Sequence, residues 1–189
     1  MGHNVSLCFA GPSAVGEDNE ADPGGDVPFG EQLRSQQTDA WKECNRRLFH
    51  YYQTLAPLLP NSFTEMEPLF SAVICGCNAG LFREALHEVY IPRIQRGNAC
   101  FAANVLGARG LLLTALVHFF EDGCWGSLVE TAVEEQSLAA EDQLFVLTQA
   151  GLYLAATRGF AAPEAQICCE RAEPSGATRR WLTRCLPQC

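Results

Sequence analysis

Residues 67–96 read EPLFSAVICGCNAGLFREALHEVYIPRIQR, and this run decides the fold. Two apolar segments with helical spacing flank a short turn at Asn78, Ala79 and Gly80. The unit is therefore expected to be a helical hairpin. Ala72, Gly80, Ala85 and Val89 place small side chains where two antiparallel helices come close. The first helix is expected from Glu67 to Cys77, with Pro68 tolerated in its first turn and Thr64 with Glu67 as a capping box. The second is expected from Phe82 to Arg96, with Phe82, Leu86, Val89 and Tyr90 on its apolar side. Pro92 should kink it, Gly97 should stop it, and Arg93 falls near the apolar side, where it must snorkel or pair.

Outward from this hairpin the chain offers more helix. Upstream, a helix is expected from Asp39 to Ala56, with Thr38 or Asp39 as its cap. Trp41, Cys44, Leu48, Tyr51, Tyr52 and Leu55 form its apolar stripe, and Pro57 and Pro60 end it. Downstream, Phe101–Glu121 is expected as one helix, apolar nearly all round beyond Leu111, with Gly107 and Gly110 serving close packing. A connector from Asp122 to Gln136 precedes a helix from Ala140 to Thr157, whose packing stripe is Leu144, Leu147, Gly151, Leu154 and Ala155. Gly159 ends that helix, and Pro163–Ala172 forms the last one. The fold class is all-α. The domains divide into a disordered leader over 1–36, a helical repeat domain over 37–174 and an irregular tail over 175–189. The tail changes to a basic, unpatterned composition and reads as a truncated or frame-shifted end.

Composition bounds the partners. The chain has 189 residues, 13 basic against 22 acidic, and a formal net charge of −9. Phosphate backbones and anionic membranes need clustered Lys and Arg, so neither is expected as a partner. The ten cysteines follow no secretory signal and sit largely in apolar helical patterns, as Cys44, Cys75 and Cys100 do. They read as free thiols in a reducing cytoplasm. Cys75 and Cys77 lie two apart, about 200° around a helix, and cannot hold one ion together. Gly11–Gly16 lacks the Lys and Ser or Thr of a phosphate loop, and Glu17 and Asp18 follow instead. Met1–Ser6 fits the short myristoylation pattern, which chance explains as well. No cofactor and no catalytic centre are expected. The acidic residues Glu130, Glu134 and Glu135 lie on a surface connector rather than in a cleft.

A period of about 34 residues with two helices per unit resembles tetratricopeptide repeats. Gly80, Ala85 and Val89 match that pattern, with Pro92 in the next slot. Ala150, Gly151 and Leu154 match the first helix of a second copy and Ala165, Cys169 and Ala172 its second, although Gly151 to Ala165 is longer than the pattern expects. More narrowly, residues 41–173 are similar to the tetratricopeptide-like region of bacterial signal-transduction ATPases with numerous domains. ECNRRLFHYYQTLAP, EMEPLFSAVICGCNAGLFREALHEVYIPRIQRGN and EDQLFVLTQAGLYLAATRG carry the resemblance. It implies antiparallel hairpins stacked as a short solenoid, and a cytoplasmic sensor or partner-binding arm that performs no hydrolysis itself. A protein partner is expected, with self-association through uncovered terminal helices. Arg83, Tyr90, Arg93 and Arg96 are the candidate protein-binding residues. The competing expectations are a truncated fragment without independent function, and a small helical metal protein or enzyme using Cys75, His87 and His118.

Overall fold

The computed structural model describes residues 37–131, 133–159 and 161–172. The leader motifs and the basic tail lie outside these residues. The chain divides into two compact units, Met1–Trp41 and Lys42–Cys189; apart from the opening of the first helix, everything below concerns the second. Among the described residues the fold is all-α, with one isolated antiparallel bridge, Phe120 to Leu128. The helices are α1 (Thr38–Leu55), α2 (Phe63–Asn78) and α3, which begins as an α-turn over Phe82–Glu84 and continues as a π-helix over Ala85–Gln95. Then follow α4 (Phe101–Asn104), α5 (Arg109–Leu116), α6 (Ala140–Arg158) and α7 (Pro163–Ala172).

The deciding hairpin is present. α2 starts earlier than expected because Ser62, not Thr64, caps it. Its Oγ accepts from the Glu65 N–H at 3.3 Å, and the Glu65 carboxylate reaches back to the Asn61 N–H at 2.7 Å. Two donors that the helix cannot satisfy are thus satisfied locally. Gly80 has φ +79 and open space around its Cα, so its role is the turn and not the close approach. The close approach is at Gly76. A Cβ there would stand 2.9 Å from Phe49 Cδ2 and 3.0 Å from the Ala85 methyl. Here α1, α2 and α3 meet, with Phe49 fully buried against a backbone that has no side chain to hold it off.

α1 is rotated from its expected stripe. Asn45 and Phe49 are its buried residues, while Cys44, Tyr51 and Leu55 are exposed. Phe49 docks on Gly76, while Leu48 and Tyr52 of the expected stripe are only partly buried against the core. The expected helix from Phe101 to Glu121 is broken. Gly107 takes φ +67 and Gly110 has open space beside it, so neither serves close packing. The pieces on either side, Gly97–Asn104 and Arg109–Phe119, are bent by 116°. No single helix among the described residues is long and apolar enough to cross a membrane.

The central helix is α6 instead. Every residue from Val146 to Ala155 is buried, including Thr148 and Gln149. A helix buried all round needs neighbours on several sides; α5 and α7 pack on it, and α3 meets it through Gln95. Gly151 brings α7 close, since a Cβ there would lie 3.0 Å from Cys169 Sγ and 3.2 Å from Cys168 Cβ. Gly151→Val should therefore lower the unfolding free energy by about 2 kcal/mol through overpacking. A urea melt checks this, and an unchanged midpoint would show that α7 yields without cost.

Candidate functional site

α3 organises the chemistry because of how it is wound. In an α-helix, residues five apart lie about 140° apart. Bonds from i to i+5 widen each turn and bring such residues to within about 50° of each other, near one face. The burial fits this wider winding: Ala85, Leu86, Val89, Tyr90, Ile94 and Gln95 are buried. Pro92 lies within the wide stretch, where its ring avoids the clash that an α-turn would impose on the carbonyl four residues back. The winding closes when Arg96 N–H donates to the Ile91 carbonyl, with Arg96 itself at φ 55. The stop comes one residue before the expected Gly97.

One face of α3 carries a buried polar cluster against α6. The Gln95 amide Nε2 lies 3.1 Å from Tyr90 Oη, 2.9 Å from Gln149 Oε1 and 2.7 Å from Tyr153 Oη. Gln95 Oε1 is buried without a partner among the described residues. Phe145 meets the Tyr90 ring edge-on at 6.3 Å. Burial pushes the Tyr90 phenol well above its ordinary value, and Tyr153 beside it adds to the rise. The thiols behave likewise. Burial and then Cys75 push Cys77 well up. Burial, then Cys169 and Glu164, push Cys168 up to about 12.

These shifts predict a loss of stability at alkaline pH. Above the ordinary thiol value of 9.0 the unfolded chain loses its protons while the folded chain keeps them. The unfolded state then binds fewer protons, and stability falls as pH rises. Each such group contributes about 1.4 kcal/mol per pH unit over its own window. Urea midpoints at a series of pH values above 9 should fall steadily. A flat profile would mean that Cys77, Cys168 and Tyr90 titrate inside the fold as they do in water.

The other face of α3 holds the link between α1 and α2. The last turn of α1 has no basic residue of its own, and its final carbonyls lack helical partners. Arg93 supplies the cation. Its Nη2 donates to the carbonyls of Gln53 at 3.2 Å, Ala56 at 3.0 Å and Pro57 at 3.1 Å. Arg96 Nη2 donates to the Pro60 carbonyl and, at 3.3 Å, to Asn61 Oδ1, while its guanidinium lies 3.6 Å over the Phe101 ring. Burial pulls the Arg93 guanidinium below its ordinary value. The sequence expectation that Arg93 must snorkel or pair is met by pairing with backbone carbonyls.

Around these two arginines the chain leaves apolar side chains in solvent. Leu58 is 76% exposed, Leu59 54%, Leu55 51% and Phe63 46%. Pro57 and Pro60 keep this stretch out of helix, so it has no helical face with which to bury its leucines. The sequence signal was available as two adjacent leucines bracketed by prolines.

The candidate residues thus divide. Arg93 and Arg96 converge on the α1–α2 link. Tyr90 has no exposed surface and faces α6, and Arg83 stands exposed at the start of α3. Among the described residues no three of His, Cys, Asp and Glu are arranged to hold a metal ion, so Cys75, His87 and His118 do not converge. His87 Nε2 instead meets Asp142 Oδ1 at 3.0 Å, joining α3 to the first turn of α6. A separate groove of about 530 Å³ lies between the 121–131 segment, α6 and α7, with Glu121, Glu130, Gln143 and Arg171 on its walls. Comparison with protein-family models, with curated proteins and with solved structures finds no match to this chain.

Proposed function

We propose that the chain is a non-catalytic helical-repeat module for protein interaction, the sensor or partner-binding arm of a bacterial signalling ATPase, working in the cytoplasm. The observation that carries this reading is the exposed Leu55, Leu58, Leu59 and Phe63 set beside Arg93 and Arg96. Several large apolar side chains left in solvent along one short stretch support an interaction surface. Two helical hairpins, α2 with α3 and α6 with α7, support the repeat reading, with close approaches at Gly76 and Gly151. The test mixes the purified chain with nucleotide-binding switch domains encoded in its own genome and follows ATP turnover. A change of about threefold or more, lost in a Leu58→Ser/Leu59→Ser chain, is the expected result. Turnover that stays constant with every such domain would sink the ATPase arm. About one equivalent of zinc or iron in the purified protein would replace the interaction reading with a metal protein.

A further inference from the structure

The interaction reading above leaves the partner's chemistry open, and the corner between α1 and α2 narrows it. Two guanidinium groups, three residues apart, reach this link. Among the described residues neither lies within ion-pair distance of a carboxylate: the ion pairs present are Glu43 with Arg46 and Arg47, His87 with Asp142, and Arg158 with Glu164. Both arginines are engaged through Nη2 on neutral oxygens, and both Nε atoms are buried without a partner among the described residues. The Glu65 carboxylate is the acidic group next to the link, and it accepts from the Asn61 N–H. The outermost bonds, to Pro57 O and Asn61 Oδ1, lie at the exposed surface. A protein with nine excess negative charges thus sets two guanidinium groups, without an ion-pair partner among the described residues, beside a run of exposed leucines.

We propose that this corner docks an acidic amphipathic peptide segment of a partner protein. Its carboxylate would complete the charge of Arg93 and Arg96, and its apolar side chains would cover Leu55, Leu58, Leu59 and Phe63. The arginines suit this role because their Nη2 bonds to the backbone already hold the guanidinium planes in place. Little side-chain entropy remains to be lost when a carboxylate arrives. The apolar contacts supply the affinity, and the charges select acidic sequences over basic ones. The proposal rests on the interaction reading and adds the chemistry of the bound segment.

The experiment selects random displayed peptides on the full chain. The enriched peptides are then synthesised, and their affinities are measured by fluorescence anisotropy at low and high salt. Enriched sequences should carry Asp or Glu beside Leu, Ile or Phe. Their affinity should fall about tenfold or more on the Leu58→Ser/Leu59→Ser chain, and about fivefold in high salt or on Arg96→Gln. The leucine variant keeps the proposal testable if Arg96→Gln weakens the fold, because Leu58 and Leu59 lie outside the core. Enriched peptides without acidic residues, or binding untouched by the leucine variant, overturn the corner but leave an interaction module standing. Selection that enriches nothing overturns both. A concentration-dependent dimer that the leucine variant abolishes would make a second copy of the chain the occupant and would also overturn the proposal.

Discussion

Phe49→Ala is expected to lower the unfolding free energy by about 3–5 kcal/mol and to release α1 before the rest of the protein unfolds. α1 buries Asn45 and Phe49 and leaves most of its length in water. The Phe49 ring is fully buried, and it lies on Gly76 and near Ala85. Truncation to alanine removes the transfer energy of the ring and leaves a cavity between three helices. The cavity cannot close easily, because Gly76 and Ala85 have almost no side chain to move into it. Urea unfolding gives the global loss, and amide exchange along residues 42–55 gives the local one. A loss below about 1 kcal/mol with unchanged exchange in α1 would mean that something other than this ring docks the helix. Gly76→Ala approaches the same contact from the other side. The new methyl would press on Phe49 at 2.9 Å, so the ring must shift even though alanine favours the helix by about 1 kcal/mol.

Arg93→Met carries the second large effect, a loss of about 3 kcal/mol. Methionine keeps much of the apolar stem but removes the charged donor shared by the Gln53, Ala56 and Pro57 carbonyls. A hydrogen bond from a charged group contributes about 1.5–3 kcal/mol. A cation at a partly buried helix C-terminus adds up to about 2 kcal/mol. Some of this is recovered because the bond to Pro57 lies at the surface, where water can replace the guanidinium. Arg93→Lys should restore only part of the loss, since the lysine stem is shorter and its more strongly hydrated ammonium is costlier to place in this partly buried site. Equal stabilities for Arg93→Met and the parent chain would show that water satisfies these carbonyls fully. Phe49 and Arg93 hold the same helix at two points. Their combined substitution should therefore cost less than the sum of the single losses, because α1 can detach only once.

The hairpin was legible because its signals are local. A turn glycine sits between two apolar helical segments, and proline and glycine mark the ends of α6 and α7. The expected span Pro163–Ala172 is the observed one, and α6 differs from its expected span by one residue. Where a boundary depends on a side chain finding a backbone donor, local reading missed by a turn. Thr64 and Ser62 are both plausible caps, and Ser62 is the one used because the Glu65 N–H points at it. The expected long helix after Phe101 failed for a different reason. Gly107 can enter the left-handed region at no steric cost, and composition does not say whether it will.

The candidate site was legible in part. Arg93 and Arg96 were singled out from the sequence, and Arg93 was recognised as a charge that needed a partner. Gln95 was missed because residues 85–95 were read with a period of 3.6, which places it on a different face from Tyr90. A wider winding, which brings Tyr90 and Gln95 toward one face, was the reading that could have found it. Nothing in composition chooses between the two windings, because the energy that decides lies in what α6 offers opposite: Gln149, Tyr153 and the edge of Phe145.

The sequence by itself determined that the described chain is helical, where the deciding hairpin turns and which ends glycine and proline impose, because these depend on backbone preferences within a few residues. Tertiary structure alone decided that α6 is the central helix, that Phe49 rather than the wider stripe docks α1, and that α3 is wound so that one face closes a buried amide–phenol cluster while the other fastens the α1–α2 link. Each of these outcomes is settled by which surfaces meet across the fold, and burial, close approach and hydrogen-bond geometry exist only once those surfaces have met.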